Sequence, residues 1–308
     1  MGYRSLKQVL LAKPEVTYGT DPVPTGALNA LAVSNVKINP LNATEIDRKI
    51  VMGYFGNRGK IIADVHVTLD FDVEIAASGV LGAAPGWGVL MKGCAMSETV
   101  VAVTSVTYAP VSAAEQSLTL YLNIDGKQRI IKGARGNVKA KLSAKGEPLW
   151  SFSFIGLSVA DTDTALPAAT LTAFKAPLGV GPGVTTATLH GLAGNIADFS
   201  FDAGNKMIYR ALINHESVQL TDRATTGSIT LEDVPVATRD FYSICKNGTL
   251  GAFTLTHGIT AGQKVQINAS AVQLHGMQTS EADNTAMMQF NMAMTPTAGN
   301  DEFSIVCI

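Results

Sequence analysis

A mainly β chain of two tandem modules, each carrying a packed α-helix, is the fold the sequence predicts, and three observations predict it. Segments alternate apolar and polar residues with period two, a two-residue hairpin signal joins two of them, and short motifs of the first half return in order in the second.

The elements follow along the chain. Val65-His66-Val67-Thr68-Leu69-Asp70-Phe71-Asp72-Val73-Glu74-Ile75 reads as a strand with Val65, Val67, Leu69, Phe71, Val73 and Ile75 on one face and Asp70, Asp72 and Glu74 on the other. A helix is expected around Gly86 to Met96. The strand Leu118 to Ile124 runs into Asp125-Gly126, a pair suited to a type I′ turn because both central positions need φ > 0, and Lys127 to Lys132 is the return strand. Asn137 to Leu142, the turn Lys145-Gly146-Glu147-Pro148 and the strand Leu149 to Ile155, with Trp150, Phe152 and Phe154 on one face, complete a β-meander. From Asp161 to Gly183 the proline-, alanine- and glycine-rich sequence has no period and reads as a connection. A second helix is expected over Val236 to Cys245, with Pro235 near its first turn and Asn247-Gly248 at its end.

The halves align at near-constant spacing: Thr119 with Thr254, Gly126 with Gly262, Val138 with Val272 and Phe154 with Phe290. Upstream, Val67-Thr68-Leu69-Asp70 and a helix with Cys94 match Ile229-Thr230-Leu231-Glu232 and a helix with Cys245. Duplication of one β unit explains this series; generic likeness among strands is the alternative. On the duplication the first module spans 1–165, with an N-terminal arm from Met1 to Leu31 and a long hairpin at 42–60. A linker spans 166–190 and the second module 191–308.

Composition narrows the function. With 46% hydrophobic and 16% charged residues, the 308-residue chain has ample apolar surface for two cores, which excludes disorder of the whole chain. Lys plus Arg number 23 against 25 Asp plus Glu, which argues against a sequence-specific nucleic-acid reader. Apolar residues come in strips too short to cross a bilayer, and the N-terminal patch is too interrupted for a secretory signal, so a soluble form without a membrane partner is expected. Cys94, Cys245 and Cys307 form no C-x-x-C pair and read as small buried hydrophobes. Low charge with 29 glycines and positive mean hydropathy points to extensive contact between subunits.

The sequence carries no sign of catalysis. The five histidines lack metal-site spacing, no nucleophile-elbow or P-loop pattern occurs, and Gly179-Val180-Gly181-Pro182-Gly183 lacks the Lys-Ser/Thr of a phosphate loop. The expectation is a protein without enzymatic activity, cofactor or metal. Two clusters stand out instead. Asp70, Asp72 and Glu74 form a like-charged row that is either an ordinary solvated face or the wall of a channel. Glu45, Asp47, Arg48, Arg58 and Lys60 surround the apolar pair Tyr54-Phe55, as an exposed hairpin or as an arm contacting another subunit.

Several segments together resemble the tail tube proteins of long-tailed, non-contractile (siphovirus-type) bacteriophages: Thr17-Tyr18-Gly19-Thr20-Asp21-Pro22, Gly93-Cys94-Ala95-Met96-Ser97-Glu98-Thr99-Val100, Leu120-Tyr121-Leu122-Asn123-Ile124-Asp125-Gly126, Gly133-Ala134-Arg135-Gly136 and Phe152-Ser153-Phe154-Ile155-Gly156-Leu157. The likeness runs from about Leu6 to Pro167 and is looser beyond. It implies β-sandwich or half-barrel modules whose inner strands join those of neighbouring subunits around a lumen. Rings then stack through the 42–60 hairpin and the N-terminal arm, and double-stranded DNA passes without sequence preference past carboxylates such as Asp70, Asp72 and Glu74. Two modules per chain would let three subunits supply the six modules usual in such rings, with six subunits as the alternative. The tape measure protein and the terminator and distal tail proteins are the implied partners, and the virion tail, assembled in the host cytoplasm, the implied location. A β-sandwich fibre, adhesin or virion decoration module is the competing reading; it would be expected to show loop aromatics for receptor contact, and only Trp87 and Trp150 are tryptophans.

Overall fold

The structure, a computed structural model, describes residues 2–308; Met1, the first residue of the expected N-terminal arm, lies outside them. In the first half β1 (Gln8–Pro14) is followed by α1 (Gly26–Asn29), β2 (Ala30–Leu31), β3 (Ser34–Asp47) and β4 (Lys60–Glu74). Then come α2 (Gly88–Gly93), β5 (Met96–Val101), β6 (Ser105–Pro110), β7 (Leu118–Ile124), β8 (Lys127–Ser143), β9 (Leu149–Ser158) and β10 (Thr162–Asp163). The second half holds β11 (Thr185–Leu189), β12 (Ile196–Asp202), β13 (Asn205–Leu212), β14 (His215–Arg223) and β15 (Thr226–Glu232). It ends with α3 (Phe241–Asn247), β16 (Leu250–His257), β17 (Val265–Ala282), β18 (Thr285–Met294) and β19 (Ser304–Cys307). The protein is mainly β, with large antiparallel sheets, as the alternation predicts.

Local chemistry sets these elements. In β4 the residues Val67, Leu69, Phe71 and Val73 are buried while Asp70 and Glu74 face solvent, the period-two pattern of a half-buried strand. Asp125 and Gly126 take φ of 41° and 105°, the left-handed pair a tight hairpin requires, and close β7 onto β8. β8 continues from Lys127 to Ser143 where a break near Gly133 was expected; Gly133, at φ 57°, instead sits at a register shift that bends one continuous strand. The two main helices are shorter than their patterns. α3 starts at Phe241 because residues after Pro235 form a separate turn and Asp240 caps the next segment, its Oδ1 accepting from the Ser243 backbone N–H at 2.9 Å. Gly248, at φ 62°, ends it.

The pairing pattern of the first half recurs in the second. The order β3-β4-β9-β8-β7-β1 is antiparallel throughout, and so is β12-β15-β18-β17-β16-β11. β10 pairs with the start of β8 as β19 pairs with the start of β17. Phe71 lies opposite Phe152 in the first half and Ile229 opposite Phe290 in the second, apolar pairs that face the core.

The halves are knitted into a 17-stranded sheet, with β13 and β14 forming a separate hairpin. β12 adds to β8, and the β5–β6 hairpin of the first half pairs with β19 near the C-terminus. One apolar core runs through both halves. Phe71 lies 5.7 Å from Phe152 and 5.9 Å from Phe154, centroid to centroid, and Phe199 stacks on Phe253 at 4.9 Å. The segment read as a connection is partly ordered by this core: β11 begins at Thr185, and Phe174 and Val180 pack against the cluster. Cys94 and Cys307 are buried and Cys245 is half-buried, all as free thiols.

Candidate functional site

The alternation that buries the aromatics delivers a polar face on the opposite side of the sheet, and this face crosses both halves. From β4 it carries Asp70, Asp72 and Glu74; β3 adds Lys37 opposite Asp70, and β9 adds Ser151 and Ser153. Next along the sheet are Asn137, Lys139 and Lys141 of β8, then Asp198, Ser200 and Asp202 of β12. Ser228, Thr230 and Glu232 of β15 and Gln289 and Asn291 of β18 carry the face to Gln273 and His275 of β17. The sequence pattern revealed the carboxylate row of β4 but not its continuation, because which strands lie beside β4 depends on pairings between distant segments.

The face is acidic on balance, and one of its three lysines is held in an ion pair. The carboxylates Asp70, Asp72, Glu74, Asp198, Asp202 and Glu232 outnumber Lys37, Lys139 and Lys141. Lys139 Nζ lies 2.9 Å from Asp202 Oδ2, and Asn137 Nδ2 donates to Asp202 Oδ1 at 2.6 Å, across the β8–β12 seam. Burial works to raise the Asp202 pKa, but these donors and the Gly204 N–H outweigh it and hold the carboxyl below the ordinary aspartate value. Glu74 moves the other way, raised by burial and then by its neighbour Glu147. Asn35 Nδ2 donates to Asp72 Oδ2 at 2.8 Å and Ser153 Oγ to Asp70 Oδ1 at 2.5 Å, so this row is hydrogen-bonded as well as solvated.

A second surface is the hairpin between β3 and β4. The strands pair out to Asp47 opposite Lys60, where Lys60 bridges Glu45, and the tip 48–59 projects beyond. Arg58 donates from Nε to the Ile50 carbonyl at 2.5 Å and from Nη1 to the Gly56 carbonyl at 2.9 Å, which folds the tip on itself; Arg48 N–H meets the Gly59 carbonyl. Val51 and Phe55 are fully exposed and Tyr54 is largely exposed. An exposed apolar tip on a salt-bridged stalk is unfavourable for an isolated chain and suited to burial in a partner.

The β13–β14 hairpin stands at the same place in the second half, between β12 and β15, but it folds back onto the first half. Tyr209 stacks on His66 at 4.7 Å, and Arg135 Nη1 donates to the Val218 carbonyl at 2.8 Å. Tyr18 of the N-terminal arm completes this contact: its hydroxyl accepts from the Val218 N–H at 2.6 Å while the Arg135 guanidinium lies 5.2 Å above its ring. A Cβ at Gly133 would come within 2.7 Å of the Tyr18 ring, so a residue without a side chain is needed there. Behind Tyr18, buried Glu15 accepts from Gly19 N, Ser117 Oγ, Thr119 Oγ1 and Gly133 N at 2.6 to 2.7 Å. The sequence reading singled out Tyr18, Gly133 and Arg135 through motif likeness alone; their convergence with Glu15 supplies the physical cause.

Among the described residues no group of three or more His, Cys, Asp or Glu side chains is arranged to hold a metal ion. Among the same residues no helix is long and apolar enough to cross a membrane. A family model described as phage tail tube protein matches residues 5–302.

The chain belongs to the phage tail tube protein family.

No curated protein matches the chain. Membership makes this tail tube protein a structural component of the phage virion tail that assembles with its own kind, and it implies a non-enzymatic role. Its surfaces are accordingly those of a building block: a polar sheet face, an apolar arm and a clasped N-terminal segment.

Proposed function

We propose that the chain polymerises into stacked rings that form the tube of a long-tailed, non-contractile phage, the conduit through which double-stranded DNA is ejected into the host. The observation that carries this reading is the single polar face continuous from β3 to β17, with family membership behind it. Placed on the lumen, that face presents carboxylates and small hydroxyl and amide groups to the DNA. Lys139 is paired with Asp202 and Lys37 lies opposite Asp70, which limits the counterion-releasing phosphate contacts that would hold DNA in place. Asp70, Asp72 and Glu74 are lumen residues on this reading.

Each chain supplies two tube modules, an assignment supported by the recurrent strand pairing, and three chains make a pseudo-sixfold ring. Successive rings engage through the 42–60 hairpin, in which Glu45, Asp47, Arg48, Arg58 and Lys60 frame the apolar Tyr54 and Phe55. The tape measure protein occupies the lumen during assembly in the host cytoplasm, and terminator and distal tail proteins close the ends. Electron microscopy of the purified protein tests the reading: stacked rings with a central channel are expected, and discrete monomers at high concentration refute it. Mass measurement of a single ring layer should give three chains; six would overturn the two-module ring.

A further inference from the structure

The β13–β14 hairpin lies over one end of the polar face. Pairing between β4 and β9 runs without a shift from Glu74 to His66, so His66 shares a face with Asp70 and Asp72. Ile155 and Arg135, opposite one another, share it with Ser153 and Asn137. The hairpin meets this end of the face through Tyr209 on His66 and through Val218, held by Arg135 and Tyr18.

Side chains hold this contact. β13 and β14 form a sheet of their own, and among the described residues no backbone–backbone hydrogen bond joins 206–222 to the first half. Clefts of about 740 and 710 Å³ open between the hairpin and the strands beneath it, the first against Asn42 and His66, the second against Asp64 and Ser158. The root is firmer: Asn205 is buried, and its Nδ2 donates to the Cys94 carbonyl at 2.7 Å. Just beyond the root the ladder shifts register, with Lys206 opposite Asp222 and Met207 opposite Leu220, which leaves Thr221 unmatched. Such a bulge is a place where a ribbon bends.

In this position the hairpin conflicts with a channel. If the polar face lines the lumen, a ribbon lying on it stands in the path of the DNA. A ring of six modules also has six places for an axial hairpin, and the 48–59 tips of three chains fill three. The β13–β14 tip is apolar and exposed, as that tip is, with Leu212 at 53% and Ile213 at 94% exposure. Building on the ring reading above, we propose that β13–β14 is an assembly clasp. Closed over the polar face in the free chain, it swings out at the bulge when copies assemble, clearing the channel and offering Leu212 and Ile213 to the adjoining ring. Opening uncovers Val218, now fully buried, so the closed form is the resting state and contacts with neighbouring copies must offset that exposure.

Locking and loosening the clasp test it. In a Cys245→Ser background, the other two thiols being buried, His66→Cys/Tyr209→Cys places cysteines where two rings now lie 4.7 Å apart. Oxidised as the free chain, this variant should give no tubes, and reduction should restore them. Ile208→Cys/Gln219→Cys, which ties the hairpin only to itself, should assemble in both states. Tyr18→Phe removes the hydroxyl that meets Val218, so tubes should sediment from a protein concentration about fivefold lower than the parent needs. Tubes from the oxidised lock, failure of its disulfide to form in the free chain, or an unchanged threshold for Tyr18→Phe would each overturn the clasp while the ring reading stands. A parent chain folded by circular dichroism that never forms tubes would overturn both.

Discussion

Glu15 is the residue on which the first half's N-terminal arm turns. Its buried carboxylate accepts two backbone N–H groups and two hydroxyls, so Glu15→Ala would strand all four donors away from water. Each stranded donor costs about 1–3 kcal/mol, and partial relaxation leaves an expected loss of about 3 kcal/mol or more, read as a lower denaturant midpoint. Two carboxylates on the polar face give opposite pH signatures. The Asp202 pKa is lowered, so its contribution is present above the ordinary aspartate range and is lost as pH falls through the lowered value. The stability gap between the parent chain and Asp202→Asn should therefore shrink on acidification. The Glu74 pKa is raised by burial and by Glu147, so its contribution is present at low pH and declines as pH rises through the raised value. Glu147→Gln should flatten that decline, and denaturant midpoints across a pH series check both signs.

At the scale of elements, alternation made β4, β7 and β9 legible because each buries one face only, and Asp125-Gly126 announced its hairpin through backbone geometry. β8 was harder: Gly133 looks like a break in a list of residues, yet pairing on both sides holds the strand together through the irregularity. β13 and β14 carry little apolar patterning of their own and owe their position to Tyr18, His66 and Arg135, residues far away in sequence. The 48–59 tip contrasts with them, having no contact partner of that kind within the chain. Replacing residues 49–58 by an Asn-Gly turn should keep Asp47 and Lys60 paired and leave the melting temperature within a few degrees, since the tip contributes little buried area. If the tip joins rings, the shortened protein stays as single rings or free chains in micrographs; full-length tubes from it would remove the arm from stacking.

For the whole molecule, the decisive joints are those no local pattern encodes: β12 on β8 and β6 on β19 bring together segments whose sequences give no sign of adjacency. They convert two similar halves into one sheet, and they align the polar residues of each half into a common face. If that face lines the channel, its charge governs how DNA moves. Asp70 and Asp72 lie on its exposed side, so reversing both to lysine leaves the core packing of Leu69, Phe71 and Val73 untouched and tubes should still form. Lysines repeated around every ring would neutralise phosphates along the duplex and release counterions at each contact. Retention should then fall steeply with added salt, the logarithm of affinity dropping by about 0.9 per neutralised phosphate for each tenfold rise in salt. Reassembled tubes of Asp70→Lys/Asp72→Lys should hold short DNA duplexes at low ionic strength and free them at high, while parent tubes hold none. Equal and salt-independent behaviour of the two would place these carboxylates outside the channel.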